Sequence, residues 1–481
     1  MALRLRPRNS FSEIVSRAAS SGRFFIRPSR NTLANSDLLD SSILLQRGFT
    51  VPTRVIVLLE TMPRRNPSID IVPAAPLQEV SQIAAQRPVH MAFKFLHNQE
   101  MELRRWQREL AEIPAPPFGE ALRSQWLLRR FTDLGLKNVH ADELGNIFGL
   151  LYEDLANGAP PLVGLSAHLD TVFPPGTNLE SREEENILYG PGISDNAAGV
   201  IALLAIASAL KQSDIQPATN VVFMGNVGEE GEGNLRGMRH IFSSSPWKKT
   251  IGSLLVIDGA GADSYVTHGL GSRRFEITFR GPGGHSWSDF GIPNPIVLLA
   301  RALARLDDAH VPESPRTTFN VGVIRGGTSV NSIPESATAS VDLRSTSMDE
   351  LRRLENFLRD AVSDVWNEVP LPYRTGKSSG WKVNYTIECI GDRPASELPD
   401  GARILQVVRA VDAHLGIKSA PRVASTDANI PLALGIEATT IGTGGDGGGA
   451  HTLREWFDCT NRDLGLKRIL LTLLALTGVN E

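Results

Sequence analysis

The chain has very little cysteine, with Cys389 and Cys459 the only two in 481 residues. They lie far apart and match neither the paired spacing of a cysteine-ligated metal site nor a Cys-x-x-Cys redox motif. A disulfide scaffold and a thiolate metal cluster are therefore not expected. So few thiols are typical of a protein that works in a reducing compartment, and we expect a cytoplasmic location.

The sequence also lacks a surplus of charge and a long apolar run. Lys and Arg number 49 against 53 Asp and Glu, so no basic field favours nucleic acid as a partner. The longest apolar run, Ala197–Leu210, is too short to cross a bilayer, and no membrane interaction is expected. Hydrophobic residues at 41% and charged residues at 21% are ordinary for a globular protein of two or three domains.

Residues 1–90 differ in composition from the rest of the chain. Their first 30 residues contain seven arginines against Glu13 alone among the acids, with many serines between. This composition resembles an organellar transit peptide, so organellar targeting is the alternative to a cytoplasmic location. A solvated basic arm, or a start codon placed too far upstream, gives the same pattern. We favour an arm that is disordered or of unknown role, with one strand-like run, Thr53–Leu59.

From residue 97 to residue 271, apolar strands alternate with helices. The predicted strands are Asn146–Leu151, Pro161–Leu165, Asn220–Met224 and Ser253–Ile257. The predicted helices include Glu120–Leu134 and Asp195–Leu210. Such alternation predicts an α/β domain with a mostly parallel sheet covered on both faces.

The pattern changes near residue 272. Residues 272–388 read as strand, helix, strand, strand, helix, strand, which is the order of a ferredoxin-like α+β unit. The first α/β pattern then returns in residues 389–481. The sequence therefore predicts a compact domain inserted into a larger, discontinuous α/β domain.

Histidines and carboxylates follow the apolar strands or lie in glycine-rich loops. They are His168, Asp170, Asp195, Glu229, Glu230, Asp258 and His451. Because the carboxyl ends of parallel strands meet at one edge of a sheet, we expect these side chains to converge. Mixed nitrogen and oxygen ligands suit zinc, or manganese and cobalt in its place. The acids exceed the need of one tetrahedral ion and favour two ions, about 3.5–4 Å apart, that share a carboxylate.

Several motifs occur in a fixed order along the chain. They are SAHLDTV, YGPGISDNAAG, GNVGEEGEG, VIDGAG, GPGGHS, TSVNSIP, VDLRS and GGAHTLREW. In these motifs the chain, from about residue 97 to its end, resembles the co-catalytic zinc peptidase/aminoacylase family. That family includes glutamate carboxypeptidase, succinyl-diaminopimelate desuccinylase, tripeptide aminopeptidase (peptidase T) and carnosinase-like dipeptidases. The resemblance implies that residues 97–271 and 389–481 form a zinc-peptidase catalytic domain. Residues 272–388 are then an inserted dimerisation (lid) domain.

The resemblance implies two Zn²⁺ per subunit, with Co²⁺ or Mn²⁺ as substitutes. It assigns five metal ligands, which are His168, Asp195, Glu230, Asp258 and His451. Asp195 matches the bridging ligand, and the peptide bond after it is expected to be cis. His168 and Asp258 match the ligands of one ion. Glu230 and His451 match the ligands of the other.

The resemblance also assigns catalytic and substrate-binding residues. Glu229 matches the general base, and Asp170 matches the carboxylate that orients His168. His285 matches an oxyanion donor that reaches the active site of a partner subunit, although a histidine in an exposed turn is the alternative. Asn331 and Arg344 match substrate-binding positions. Asn331 could instead cap a turn, and Arg344 could pair with a carboxylate of the lid.

The resemblance implies a metal-dependent hydrolase that cleaves amide bonds in short peptides, with Glu229 as the base. Asp258, where other branches have Glu, favours a peptidase similar to peptidase T. An N-acyl-amino-acid amidohydrolase is the alternative with the same chemistry. A non-catalytic dimeric homologue is the alternative of another class. We expect a homodimer formed through residues 272–388.

Overall fold

The computed structural model describes residues 74–153, 161–377 and 382–480. The described residues all belong to one compact unit, Ile71–Glu481. Most of the predicted N-terminal arm, including the strand-like run Thr53–Leu59, lies outside the described residues.

The strands run, in chain order, β1 (Lys137–Ala141), β2 (Ile147–Leu150), β3 (Leu162–His168), β4 (Arg182–Glu184), β5 (Ile187–Tyr189), β6 (Val221–Asn226), β7 (Ile251–Ile257), β8 (Ser264–Gly269), β9 (Gly271–Arg280), β10 (Gly284–His285), β11 (Thr317–Gly326), β12 (Ser332–Ile333), β13 (Ser336–Ser345), β14 (Asn384–Arg393), β15 (Ser396–Glu397), β16 (Ala420–Ala424), β17 (Glu437–Ile441), β18 (Asp446–Gly448) and β19 (Trp456–Asp458). The helices run α1 (Ala74–Ala84), α2 (Arg87–Asn98), α3 (Glu100–Ala111), α4 (Ala121–Asp133), α5 (Gly199–Gln212), α6 (Arg236–Ser243), α7 (Pro295–Asp307), α8 (Met348–Asn367), α9 (Leu371–Thr375), α10 (Arg403–Leu415), α11 (Asn429–Ala433) and α12 (Arg462–Thr477).

The prediction of an arm over residues 1–90 is wrong for residues 74–90. These residues form α1 and the start of α2, and Val80, Ile83 and Val89 are buried in the main core. Helix α1 packs against α10 and α12, both from the C-terminal part of the chain. The residues that cover α1 lie more than 300 positions later in the sequence. The periodicity of α1 itself therefore does not indicate that this helix is buried.

The large sheet has nine strands, in the order β1-β2-β6-β3-β7-β17-β8-β15, with β16 paired to β8. Its centre, β6-β3-β7-β17, is parallel, and antiparallel pairs occur towards both edges. Every residue of β3 is buried, as expected for a central strand covered on both faces. The prediction of an α/β domain with a mostly parallel sheet is confirmed.

The segment Ile193–Gln212, which includes α5, is long and apolar enough by composition to cross a membrane. However, 94% of its most apolar window is buried inside the protein, where α5 packs against β3, β6 and β7. Within the part of the chain that the structure describes, this segment is therefore the core helix of the large sheet.

The inserted domain has its own antiparallel sheet, in the order β11-β13-β9-β14. Helices α7 and α8 pack on β9 and β13 and enclose a separate hydrophobic cluster that includes Phe275 and Leu354. This is the predicted strand and helix order, with two short strands, β10 and β12, and one short helix, α9, added. The last strand continues to Arg393, beyond the predicted boundary at residue 388.

A small sheet in the order β18-β19-β5-β4 joins two distant parts of the chain. Strand β5 leads into the turn that contains Asp195, while β18 and β19 flank His451. Pairing of β19 with β5 therefore brings the loop of His451 to the turn of Asp195.

Candidate metal centre and active site

Three neighbouring strands deliver most of the predicted ligands to one edge of the sheet. His168 is the last residue of β3, and Asp258 directly follows β7. Glu229 and Glu230 lie in the loop after β6, whose Asn226 is in register with His168. Because β6, β3 and β7 are parallel, their carboxyl ends place these side chains together.

Asp195 lies in an irregular turn, Ile193–Ala198, directly before α5. Its peptide bond to Asn196 is cis, which confirms the expectation. The carboxylate of Glu455 is fully buried and accepts hydrogen bonds from the backbone N–H of Gly192, Ser194 and Asp195, each 2.8 Å long. Glu455 therefore fixes the backbone that presents the Asp195 carboxylate.

Gly199 allows α5 to begin close to the end of β7. A Cβ atom there would lie 2.1 Å from Asn196 Oδ1 and 2.6 Å from the carbonyl oxygen of Ile257. Asn196 itself donates to this carbonyl at 2.9 Å and accepts from the N–H of Gly199 at 3.0 Å. The last glycine of the YGPGISDNAAG motif is thus required because the start of α5 lies against the end of β7, beside Asp258.

The five predicted ligands form two groups that share Asp195. In the first, His168 Nε2 lies 3.1 Å from Asp195 Oδ1 and 3.6 Å from Asp258 Oδ1. In the second, His451 Nε2 lies 3.1 Å from Asp195 Oδ2 and 2.9 Å from Glu230 Oε1. Ligand atoms about 2.0 Å from a tetrahedral zinc lie about 3.3 Å from one another, so the spacing within both groups fits metal ligands.

The electrostatics of the cluster also fit divalent cations. Hydrogen bonds with Asp195 and Glu230 raise the pKa of His451 to about 10. Burial disfavours a charged imidazole, but the nearby carboxylates of Asp170, Asp195 and Asp258 raise the pKa of His168 well above its ordinary value. The carboxylates therefore favour a positive charge between themselves and the imidazole nitrogens. A metal ion bound between these groups would supply that charge.

Asp170 supports the site in two ways. Its main-chain carbonyl lies 3.1 Å from His168 Nδ1, whereas its carboxylate is 3.6 Å from the same nitrogen. The shorter contact indicates that the carbonyl accepts the Nδ1 proton, which leaves Nε2 free to bind metal. The carboxylate accepts from the N–H of Glu229 at 2.9 Å and of Glu230 at 2.7 Å. Asp170 thus orients the Glu229–Glu230 loop as well as the imidazole.

Glu229 is buried and contacts an arginine from the inserted domain. Arg393 Nη1 lies 3.1 Å from Glu229 Oε1, and Arg393 Nη2 donates to the main-chain oxygen of Glu229. Burial raises the pKa of the Glu229 carboxyl well above its ordinary range, and the guanidinium acts in the opposite direction. A buried carboxylate held in this way is typical of a catalytic acid or base.

The cluster of candidate metal ligands opens into a cleft of about 390 Å³. It is lined by Val172, Asp195, Glu229, Glu230, Gly231, Asp258, Arg274, Arg344, Arg393, Ser425 and His451. Arg344, a predicted substrate-binding residue, lies in this cleft and also pairs with Asp342 of the inserted domain at 2.6 Å. A second cavity of about 650 Å³ adjoins the cluster at Asp195 and Asp258 and is lined mainly by glycine, alanine and small polar residues.

His285 and Asn331 do not line this cleft. His285 is exposed on β10, which pairs with β12, and the main-chain oxygen of Asn331 accepts from the N–H of Ser286 at 3.0 Å. The two residues therefore lie near each other but outside the site that a single chain forms. Their predicted roles stay predictions that require a second subunit.

Four site residues were not predicted from the sequence. They are Arg274, Arg393, Asp427 and Glu455. Glu455 lies within the GGAHTLREW motif, which was a signal for it. The buried carboxylate of Asp427, which accepts from Asn226 Nδ2 at 2.7 Å, lies in the segment Ser425–Asn429. The two arginines have no distinguishing local pattern.

Comparison with known proteins identifies the family. The model of peptidase family M20/M25/M40 matches residues 164–475. A probable carboxypeptidase of Ajellomyces capsulatus is 32% identical over 228 residues, which are 43% of this chain and 51% of the relative. A probable succinyl-diaminopimelate desuccinylase of Staphylococcus aureus is 23% identical over 251 residues, which are 44% of this chain and 61% of the relative.

The fold is similar to that of the aminopeptidase PepT from Bacillus cereus. The TM-score is 0.62 at 19% sequence identity, and the match covers 78% of this chain and 98% of PepT. The chain spans about half the length of the carboxypeptidase relative. The family model, in contrast, matches more than half of this chain and includes all the predicted metal ligands. The chain therefore belongs to peptidase family M20/M25/M40.

Proposed function

We propose that the protein is a dinuclear metal-dependent hydrolase that cleaves the amide bond of short peptides. The observation that carries the proposal is the placement of Asp195, whose Oδ1 faces His168 while its Oδ2 faces His451. One carboxylate between two ligand groups is the arrangement that a pair of ions requires. Membership of a peptidase family supports the same chemistry.

The residues divide the work as follows. His168 and Asp258 would hold one ion, Glu230 and His451 the other, with Asp195 shared. Ions held by these residues would lower the pKa of a bound water towards neutrality and would polarise the scissile carbonyl. Glu229 takes the proton of the attacking water and passes it to the leaving amine.

We assign substrate binding to the part of the cleft that Arg274 and Arg344 line. The planar guanidinium of Arg344 suits a carboxylate of the substrate, and Arg274 lies in the same cleft. Arg344 already pairs with Asp342, so a substrate carboxylate would share this guanidinium. A free carboxylate on the substrate is therefore part of the proposal.

A homodimer is proposed because His285 and Asn331 lie outside the cleft of their own chain. Strand β11 is an exposed edge of the lid sheet, and Trp287, Phe290 and Val330 near His285 are exposed apolar side chains. Edges and apolar patches of this kind are typical of protein interfaces. A monomeric active enzyme would exclude the roles proposed for His285 and Asn331.

An N-acyl-amino-acid amidohydrolase is the second candidate. The second cavity, beside the proposed ligands Asp195 and Asp258, has room for an acyl group, and one of the relatives is a probable succinyl-diaminopimelate desuccinylase. The test is turnover of the zinc-loaded protein on a panel of di- and tripeptides against N-acyl amino acids. Preference for peptides supports the first candidate, and preference for N-acyl amino acids replaces it with the second.

A further inference from the structure

The loop that carries Glu229 and Glu230 is held from the inserted domain at three points. Arg393 contacts both the carboxylate and the main-chain oxygen of Glu229. Arg274 Nη1 donates to the main-chain oxygen of Gly231 at 3.1 Å. The N–H of Asp392 donates to Asn234 Oδ1 at 2.9 Å. Residues 229–234, which we call the base loop, are therefore attached to this domain.

The three contacts come from the two strands by which the inserted domain joins the catalytic domain. Arg274 lies near the start of β9, and Asp392 and Arg393 end β14. The two strands pair directly here, with Arg393 opposite Ser272. A shift of this strand pair relative to the catalytic domain would therefore move the groups that hold the base loop.

Arg393 is the strongest of these attachments. Its side chain and that of Glu229 are each only 7% exposed, so water does not replace the contact when it is broken. The planar guanidinium bonds a side-chain and a main-chain oxygen of one residue at the same time, and it also contacts Ser425 Oγ at 3.1 Å. A lysine has a single ammonium group and does not reproduce this fork.

We propose that Arg393 is a positioning residue for hydrolysis, which fixes the orientation of the Glu229 carboxylate and couples it to the inserted domain. The inference rests on the proposed role of Glu229 as general base. The Arg393 side chain is only 7% exposed, whereas that of Arg344 is 41% exposed, so Arg344 rather than Arg393 is the primary substrate anchor. The inserted domain thereby acts on the chemical step within its own chain.

The test compares Arg393→Lys and Arg393→Ala in the full-length, zinc-loaded protein, using the best substrate of the panel. We expect kcat to fall about 100-fold, the lower range for loss of a general base, while KM stays within about twofold and zinc content is unchanged. Added methylguanidine restores part of kcat in Arg393→Ala. Arg239→Ala is the matched control, because Arg239 contacts the same loop at the oxygen of Asn234 without touching Glu229. Its kcat stays within about threefold of wild type.

Hydrogen exchange of the base-loop amides provides a reading that needs no substrate. We expect faster exchange over residues 229–231 in both Arg393 variants, and Arg393→Lys decides if Arg393→Ala does not fold. An increase in KM with unchanged kcat shows instead that Arg393 binds substrate, and overturns the inference. Unchanged exchange also overturns it. If wild-type protein is inactive on the whole panel, the proposed function fails, while the exchange result still tests the attachment of the loop.

Discussion

Replacement of Glu455 tests how the fold holds the bridging carboxylate. In Glu455→Ala, three backbone N–H groups at Gly192, Ser194 and Asp195 lose their acceptor. A hydrogen bond to a charged group contributes about 1.5–3 kcal/mol, and effects at adjoining groups are less than additive. We therefore expect the free energy of unfolding to fall by about 3–6 kcal/mol.

Glu455→Gln is the milder variant, because its amide oxygen still accepts from two of these donors. Oε1 bonds both Ser194 and Asp195, so only the bond of Gly192 to Oε2 is lost, at about 1.5–3 kcal/mol. Because the turn that carries Asp195 shifts, zinc affinity falls about 10–100-fold, as for other groups that orient metal ligands. Urea unfolding of the zinc-free protein and competition with a zinc chelator measure the two effects.

Glu437 offers a matched control for this experiment. Its carboxylate also accepts two backbone N–H groups, of Arg403 and Ile404, each at 3.0 Å at the start of α10. Glu437→Gln should reduce stability without changing zinc affinity. If Glu455→Gln binds zinc as tightly as wild type, the argument that Glu455 positions Asp195 is wrong.

Three further substitutions test other parts of the structure. His451→Ala removes a ligand of one group only, so zinc analysis should find close to one ion per chain; two retained ions would contradict the assignment. Gly199→Ala places Cβ against Asn196 and Ile257, so urea unfolding should show a loss of about 1–3 kcal/mol, and an equal or higher stability would contradict the close approach. Arg344→Ala should raise KM at least about tenfold for a substrate with a free carboxylate and leave KM unchanged for its amide. An equal effect on both substrates would exclude carboxylate binding by Arg344.

Three of the proposed metal ligands, His168, Glu230 and Asp258, were predictable because each follows a strand that the sequence marks. Asp195 and His451 were assigned through the motifs YGPGISDNAAG and GGAHTLREW. His168 ends β3, and Asp258 follows β7. Parallel strands place such residues at one edge, so local patterns were enough to bring them together. The insertion of a second domain was also visible, because alternating strands replace buried ones near residue 272.

The residues that hold the ligands in place were not predictable in the same way. Glu455 bonds the turn at Gly192, 263 residues earlier, and Arg393 bonds Glu229 across 164 residues. The GGAHTLREW motif draws attention to Glu455, but it does not indicate which backbone groups that carboxylate bonds. Nothing near Arg393 in the sequence separates a buried, bonded charge from a solvated one. The helices between residues 74 and 90 were missed for a similar reason, since their buried faces depend on α10 and α12.

The general-base role of Glu229 is the central claim, and turnover of zinc-loaded Glu229→Ala tests it most directly. The variant keeps all five metal ligands, so it should contain about two zinc ions per chain, as for a shared-carboxylate site. Its kcat should be lower than wild type by a factor of about 10² to 10⁴, the usual contribution of a general base. Turnover close to that of wild type, with the zinc still bound, would contradict the account.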